Sequence, residues 1–422
     1  MIQKTYWLLA FLFLLSAQHA NAETLKQAWD IALTVDHSLK AAKENTAGAL
    51  QQNEAAKAGI YPKLMLNSGF TALDSIPATQ SGGTVKPTGD QNSFSHKLTI
   101  SQSLYTSGRY SSNVDATAAS AAASKAEEAT NTQALKLRVA DAYVAVLRAN
   151  QGLLVAKSHV SSLNAHAADV ENKYEQSMVA RNDLLSAQVA LADARQQEIQ
   201  SQNALDLARA TYNRLLNRPL DNKVSLEDLS PDIETAPLPL LTKKALKQRS
   251  ELETLMNQIS ALRHQADVVR GLTGPQVSLS GGYDFQKNKY VVHEGQWFAT
   301  LGLQWNIFDG TVNKHQASAV VRQAAAVQAN LDDRVSMIRL EVRQAWLDVQ
   351  ETQKRTQVTS EIIAQAEENL KMNRDRYESG LSTNTEVLDA ETLRTQSLNN
   401  HANALYDAVL AALRLKRSME EL

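Results

Sequence analysis

Two acidic side chains near the C-terminal end of the chain have the type and spacing to act as a charged pair. Glu386 and Asp389 are three residues apart, so on a helix they share one face. Thr383 lies three residues before Glu386, and this spacing is typical of a capping box at the start of a helix. The carboxylate of Glu386 can therefore either stabilise its own helix start or face an ion, and both interpretations stay open.

Few other residues have the type and spacing for chemistry. The 422 residues include no cysteine, which excludes thiolate catalysis, disulfides and Cys-ligated zinc. His159 and His166 are seven residues apart, and this separation favours a solvated face or a face between helices over a metal pair. The sequence has no phosphate-binding glycine loop, nucleophile elbow or HExxH motif, so we expect no enzyme, no cofactor and no metal. A formal charge of −2 removes the electrostatic case for nucleic-acid binding.

Long helices are predicted to position the acidic pair. A heptad pattern runs from Leu135 to Tyr174 and recurs from Ile338 to Tyr377, with apolar or small residues spaced four and three apart. Many of these positions are alanine or threonine, so neighbouring helices can approach closely. Residues 109–216 contain no proline and one glycine, and the same is true of residues 311–422. A helix of roughly 65 residues would be about 100 Å long.

Two pairs of segments alternate apolar and polar residues, which predicts β-strands of about ten residues. The pairs lie within 63–104 and 276–307. Their length and pattern are typical of transmembrane β-barrel strands, although a sheet packed on a soluble core gives the same alternation. Four strands leave open edges that hydrocarbon cannot satisfy, so a membrane barrel must pool strands from several chains. Two chains give eight strands and a filled interior, whereas three give twelve strands and room for an open lumen.

The chain is two copies of one unit of about 200 residues. Leu66 matches Leu279 at a separation of 213, whereas from Phe94 onward the copies match at a separation of 203. The ten-residue change falls within residues 74–93, whose counterpart in the second copy is the shorter segment 287–296. Each copy is therefore predicted to contain one strand pair followed by one long helical hairpin.

The N-terminal segment has the features of a secretory signal peptide. Lys4 precedes the apolar run from Trp7 to Leu15, and residues 20–22 form an A-x-A cleavage site. Nine apolar residues are too few to span about 30 Å of hydrocarbon, which argues against the alternative of a membrane anchor. The predicted organisation begins with a signal peptide at 1–22 and a first repeat at 23–217, which has strands in 63–104 and a helical hairpin at 109–217. A proline-rich linker at 218–239 follows. The second repeat at 240–422 has strands in 276–307 and a helical hairpin at 311–422.

Two related turns between the long helices carry a family resemblance. The second-copy turn is YESGLSTNTEVLDA at 377–390, and the first-copy turn is YEQSMVARNDLLSA at 174–187. A second pair of motifs follows the strands, LYTSG at 104–108 and IFDG at 307–310. Together with the duplication and the signal peptide, these motifs resemble the TolC-like outer-membrane channel family over essentially all of residues 23–422. Gly380 suits a left-handed helix end, and the first copy departs from the pattern with Ser177 at this position.

The resemblance implies a membrane protein of the outer membrane of a Gram-negative type bacterium. The implied fold is a homotrimer with a twelve-stranded transmembrane β-barrel, four strands per chain, continuous with a long periplasmic α-helical coiled-coil barrel. Members of the family are passive exit ducts of tripartite efflux pumps or type I secretion systems, and they carry small molecules or proteins across the periplasm and the outer membrane. The implied partners are outer-membrane lipid, a periplasmic adaptor (membrane fusion) protein and an inner-membrane transporter of the RND, ABC or MFS type.

The alternative is a soluble periplasmic coiled-coil adaptor or scaffold, which would share the export signal and the heptads. Adaptors usually carry one hairpin flanked by compact β-domains, whereas this chain carries two hairpins and two isolated strand pairs. The channel is therefore the interpretation that we expect the structure to support.

The resemblance also implies two sites at the turns. In the family, acidic residues of the second-copy turn line the periplasmic mouth, and three chains would bring the carboxylates of Glu386 and Asp389 towards one axis, a field that favours cations. The predicted periplasmic gate consists of Glu386, Asp389, Asp183 and Tyr377. Some relatives carry an arginine after the turn that latches the mouth, and this chain has Ser382 there. The predicted adaptor-docking tips consist of Met178, Val179, Gly380, Leu381 and Ser382.

Overall fold

The computed structural model describes residues 22–232 and 236–422, so the predicted signal peptide lies outside the described residues except for Ala22. In chain order, the described elements are α1 (Leu25–Val35), α2 (His37–Ala58), β1 (Lys63–Ala72), β2 (Ala78–Ser81), β3 (Thr84–Pro87), β4 (Asn92–Tyr105), α3 (Arg109–Glu175), α4 (Arg181–Leu215), α5 (Leu238–Gln248), α6 (Ser250–Gly271), β5 (Gln276–Gln286), β6 (Gly295–Gln304), α7 (Val312–Glu378) and α8 (Asn384–Ser418). Within the described ranges, none of the helices combines the length and apolar content that crossing a membrane requires.

The elements follow a two-repeat layout that is mostly helical. Helices α3 and α7 have 67 residues each, and helices α4 and α8 have 35 each. Of the described parts of the two copies, the first alone carries the extra hairpin β2–β3, which falls in the segment where the repeat separation changes. The sequence did not predict this hairpin, because strands of four residues are too short to show an amphipathic pattern.

The chain divides into two compact units, and each contains segments of both repeats. Of the described residues, the first unit holds those up to Ala41 together with those in Glu128–Ser250 and Val335–Leu422. The second unit holds Ala42–Glu127 and Glu251–Arg334, and it contains every described strand. Because α3 and α7 run through both units, each long helix contributes one part to a helical core and the other to the unit with the sheet.

The second unit is built around a four-stranded antiparallel sheet in the order β1-β4-β5-β6. Every second residue of each strand points to the same face of the sheet, and these residues form one apolar face across the strands. For example, Leu98 on β4 pairs with Leu66 on β1 and with Tyr283 on β5. Much of this face is exposed in the single chain, and Trp297 on β6 is 78% exposed. Polar residues interrupt this apolar face, and two of them form a hydrogen bond with each other: Ser68 Oγ lies 2.7 Å from His96 Nδ1.

The core of the first unit is formed by the heptad positions. Val139, Val146 and Val170 are buried on α3, as are Val342 and Val349 on α7. Apolar side chains spaced four and three apart lie on one stripe of a helix, so their burial explains why the heptad pattern predicted this packing. Burying each of these valines contributes on the order of 1.5 kcal/mol or more to the free energy of unfolding.

The residue predicted to begin the mature chain is fixed in the first unit. The Glu23 carboxylate accepts two hydrogen bonds from the Arg218 guanidinium, at 2.8 and 2.9 Å. Its carbonyl accepts from the buried Tyr143 hydroxyl at 2.6 Å, and its N–H donates to the Ser225 carbonyl at 2.9 Å. These bonds hold the start of the first repeat against the segment that follows α4.

Candidate functional site

The two turns between the long helices have the same backbone geometry. Gly380 has a φ of 72°, which confirms the left-handed conformation that the sequence predicted. Ser177, its counterpart, is also left-handed with a φ of 56°. In both turns the next residue closes the helix end, since Leu381 N–H donates to the Arg376 carbonyl at 2.8 Å and Met178 N–H donates to the Lys173 carbonyl at 2.8 Å. The serine therefore does not change the shape of the first turn.

Helix α8 begins with half of the predicted capping box. The Thr383 side chain accepts from the Glu386 N–H at 3.3 Å. The reciprocal bond from the Thr383 N–H to the Glu386 carboxylate is replaced, because this carboxylate accepts from the Ser382 hydroxyl instead. Glu386 and Asp389 are both exposed in the single chain. The side chain of Glu386 is thus tied to the turn, while its charge stays accessible to solvent.

The other two residues of the predicted gate are more enclosed. Asp183 is half-buried in the first turn of α4, and its carbonyl accepts from the Asn384 side chain at 3.1 Å. Tyr377 is buried, with Val387 in the same apolar cluster. Burial raises the pKa of the Tyr377 hydroxyl, and the charge of Asp183 adds to the shift. Within one chain, the Tyr377 side chain therefore packs in the apolar cluster and is not presented to solvent.

Helix α3 contacts Tyr377 through a lysine. Lys173 Nζ lies 4.2 Å from the centre of the Tyr377 ring and donates to the Tyr377 carbonyl at 3.2 Å. A cation over an aromatic face is attracted by the ring electrons, and the bond to the carbonyl satisfies an acceptor near the end of α7. These contacts join the first helical hairpin to the second at the turns.

The predicted docking tips include the two most exposed apolar residues of the turns. Leu381 is 71% exposed and Met178 is 66% exposed, whereas Val179 is half-buried against the apolar cluster beneath. Gly380 is exposed, whereas Ser382 is half-buried and donates a hydrogen bond to Glu386. Between α3 and α7, beside Met178, lies a groove of about 420 Å³ lined by His166, Asp169, Lys173, Arg374, Tyr377 and Glu378.

A buried polar cluster below the turns was not predicted. Glu391 on α8 is completely buried and pairs with Arg374 on α7, and it accepts from the Ser162 hydroxyl of α3 at 2.7 Å. Closer to the tip, His166 Nε2 lies 2.8 Å from Asn384 Oδ1. The signal that could have revealed Glu391 is its spacing, because Asn384, Val387 and Glu391 continue one helical stripe.

Both histidines singled out in the sequence lie between helices. His159 Nδ1 is 2.9 Å from the Thr395 hydroxyl, and both His159 and His166 are buried. Burial lowers the pKa of each imidazole; the charge of Glu391 partly opposes this for His159, and the bond to Asn384 does so for His166. In the part of the chain that the structure describes, no group of three or more His, Asp or Glu side chains is arranged to hold a metal ion.

Fold and turns together define a class of protein, a duplicated chain of strand pairs and long helical hairpins with acidic tips. The sequence model of the outer membrane efflux protein family matches residues 29–218 and 241–420. The chain belongs to this family, and its role is that of an outer-membrane exit duct that extends into the periplasm. The members of this family are outer-membrane channels, so the alternative of a soluble periplasmic adaptor or scaffold is not supported.

Individual relatives agree with this assignment along nearly the whole chain. The alkaline protease secretion protein AprF of Pseudomonas aeruginosa is 23% identical to this chain, in an alignment that covers 97% of this chain and 87% of AprF. The outer membrane protein TolC of Vibrio cholerae is 21% identical over 94% of this chain and 91% of its own. The crystal structure of the outer membrane protein VceC of Vibrio cholerae superposes with a TM-score of 0.82 at 18% identity, over 94% of this chain and 96% of that one. The resemblance to the TolC-like family is thereby confirmed.

Proposed function

We propose that three copies of this chain assemble into a passive duct. The four strands of each copy contribute to one twelve-stranded transmembrane β-barrel, and the long helices continue it as a periplasmic coiled-coil barrel. The observation that carries this proposal is the open sheet. Within the described residues, β1 pairs only with β4 and β6 pairs only with β5, so each outer strand has one open edge. Open edges are not tolerated in hydrocarbon, and twelve strands leave a lumen.

The exposed apolar face supports a membrane setting for the sheet. Leu66, Trp297 and Leu301 are each at least two-thirds exposed, and all lie on the same face. A soluble protein would cover such a face with a second layer, whereas a barrel places it against lipid chains. The opposite face carries polar residues such as Lys97 and Asp284, which form an ion pair at 3.3 Å and would line the lumen.

The cargo that we propose is a secreted protein. AprF is named for the secretion of an alkaline protease, and it aligns with 97% of this chain. We infer a type I secretion system, in which a periplasmic adaptor connects the duct to an ABC-type transporter in the inner membrane. Small-molecule efflux with an RND or MFS transporter would use the same duct, because substrate choice lies with the pump.

The acidic turn supplies the proposed gate. With three chains around one axis, the exposed carboxylates of Glu386 and Asp389 would form a negatively charged ring, with Asp183 and Tyr377 holding the tips from behind. The exposed Met178 and Leu381 side chains would meet the adaptor. The groove between α3 and α7 offers the partner both charges and apolar surface.

Lysine substitution on the apolar face tests the barrel. Leu301→Lys would place a charge against lipid, at a cost of about 2 to 4 kcal/mol near the midplane, so the yield of SDS-resistant, heat-dissociable trimer in outer membranes should fall. Thr300→Lys, at the neighbouring residue on the opposite, polar face, is the matched control and should leave the trimer intact. A stable monomer in which both substitutions are silent would refute the barrel.

A further inference from the structure

The polar face of the four-stranded sheet carries one pair of opposite charges among small or uncharged side chains. Over much of this face the paired residues are small, as where Ser280 lies opposite Thr300. Apart from Lys63 at the first residue of β1, Lys97 and Asp284 are the charged residues of this face in the four strands, all of which lie within the described residues. In the proposed barrel this face lines the lumen, so a site built on the pair rests on the proposed function and adds to it.

Lys97 is held by partners on two different strands. Its ammonium lies 3.3 Å from the carboxylate of Asp284, which is its paired residue on β5. The same ammonium lies 5.1 Å from the centre of the Phe298 ring on β6, a distance at which a cation is attracted by the ring electrons. The carboxylate and the ring together fix the position of the positive charge.

A glycine allows Lys97 on β4 to reach a ring on β6. Strand β5 lies between these two strands, and its residue opposite Phe298 is Gly282, which has no side chain to separate the lysine from the ring. A Cβ at this position would collide with the carbonyl oxygen of Leu98 on β4. The close approach of the two strands therefore requires glycine, and the same glycine leaves the space that the lysine crosses.

Stability does not account for this ion pair. The Lys97 side chain is 48% exposed and the Asp284 side chain is 43% exposed. An ion pair this exposed contributes about 1 kcal/mol or less, because water already screens both charges. Lys97 lies nearer to Asn92, where β4 begins after the connecting loop, than to Tyr105, where β4 ends before α3. In the proposed duct the pair would therefore face the water of the lumen in the outer half of the barrel.

We propose that Lys97 and Asp284 form a second charge-selective site of the duct, in the barrel lumen, which we name the lumen charge site. By threefold symmetry, the proposed trimer would carry three lysines and three aspartates on the barrel wall. Their charges cancel, so the intact site excludes neither cationic nor anionic groups. A secreted polypeptide carries side chains of both signs, and a balanced site lets both pass. The predicted gate at the turns, in contrast, is purely acidic.

Cysteine accessibility tests the lumen charge site, because the natural sequence contains no cysteine. Ser280→Cys places a thiol on the polar face, between Asp284 and the end of β5 that follows α6. Two methanethiosulfonate reagents of similar size, one cationic and one anionic, are added outside intact cells of a strain that lacks general porins. The quantity measured is the rate constant of modification by the cationic reagent divided by that of the anionic reagent.

Removing one charge should shift this ratio in a direction set by the charge that remains. Lys97→Gln leaves three carboxylates and should raise the ratio roughly fivefold or more, because a cleft lined by one sign of charge concentrates counter-ions. Asp284→Asn leaves three ammonium groups and should lower the ratio by a similar factor. Lys97→Gln/Asp284→Asn carries neither charge and is the matched control, with the ratio of the Ser280→Cys parent. Phe298→Leu frees the ammonium from the ring and should lower the ratio by less than Asp284→Asn.

The outcomes distinguish the site from the duct that contains it. Equal ratios in the parent and both single variants, or shifts in one direction, would overturn the lumen charge site and leave the barrel in place. If Ser280→Cys reacts with neither reagent, the polar face does not line an open lumen, and the proposed barrel fails together with the site. Glu386→Gln/Asp389→Asn should leave the ratio unchanged. A change as large as that of Lys97→Gln would assign the effect to the gate and overturn the site.

Discussion

At the scale of single residues, two kinds of charge matter: a buried charge, whose removal from water costs free energy, and the exposed charges of the predicted gate. The costly charge is Glu391, which is fully buried, whereas its partner Arg374 is partly exposed. Removing Arg374 leaves a buried carboxylate without its counter-charge, and removing Glu391 leaves a guanidinium that water can reach. The two truncations should therefore differ in their effect on stability.

We predict that Arg374→Ala lowers the free energy of unfolding by about 3 to 5 kcal/mol, and Glu391→Ala by about 1 to 3 kcal/mol. Denaturant titration of the purified protein measures both values, and the double variant completes a thermodynamic cycle. Equal losses from the two single variants would show that the carboxylate is hydrated or neutral when Arg374 is absent.

The useful charges are those of the predicted gate. Glu386→Gln/Asp389→Asn removes both charges at nearly constant volume, and the glutamine can still accept the Ser382 hydrogen bond. We expect purified channels in planar bilayers to lose cation preference, because the negative ring is gone. Glu378→Gln, an exposed acidic residue outside the predicted ring, is the control. If the reversal potential in a salt gradient is unchanged, the two carboxylates do not set the ion preference, and Glu386 acts only at the start of its helix.

The buried histidines predict a pH dependence of stability. Burial lowers the pKa of His159 and His166 in the folded chain, so on acidification the unfolded chain takes up protons first, from about pH 6.5 downward. Stability contributed by the neutral rings is therefore complete above this pH and is lost as the pH falls towards the folded pKa. His159→Gln/His166→Gln should flatten the decline of the melting temperature between pH 7 and pH 5. The exposed His293→Gln should not.

At the scale of elements, the helices and strands could be predicted because heptads and alternation are local properties of the sequence. The spacing of Glu391 places it on the same stripe as Val387, but its polar partners could not be predicted, because Ser162 and Arg374 come from two other helices. The direction of the Glu386 side chain was likewise undetermined, since Ser382 competes with the backbone N–H of Thr383 for its carboxylate. Sequence patterns identify elements, whereas polar partners are chosen by the packing between them.

The first turn provides a prediction at this scale. Ser177 has a left-handed backbone, a conformation that costs a residue with a Cβ roughly 1 to 2 kcal/mol. Replacing it with glycine removes this cost, but part of the gain is lost because glycine makes the unfolded chain more flexible. Ser177→Gly should raise the free energy of unfolding by up to about 1 kcal/mol. Gln176→Gly, at the neighbouring position, should lower it. A destabilising Ser177→Gly would mean that the serine hydroxyl contributes to the turn in the assembled protein.

At the scale of the whole molecule, export requires the duct to meet its partner, and we predict that this contact lies at the turns. Met178→Glu and Leu381→Glu should abolish export from cells while leaving trimer yield intact, because both side chains are exposed and a charge there opposes an apolar contact. Leu207→Glu is the matched control and should retain export, because Leu207 on α4 is 61% exposed and lies away from the turns. Loss of the trimer itself would show that the turns pack against each other.

The shared register of the two strand pairs has an evolutionary consequence. Leu66 with Leu98 and Leu279 with Leu301 are the same pair written twice, so in the proposed assembly the threefold axis would carry an approximate sixfold symmetry within the sheet. A gene half as long, encoding a single repeat, would produce the same twelve strands from six identical subunits. Six identical subunits would carry six identical turns, so they would lack the difference between the acidic second turn and the serine-containing first turn.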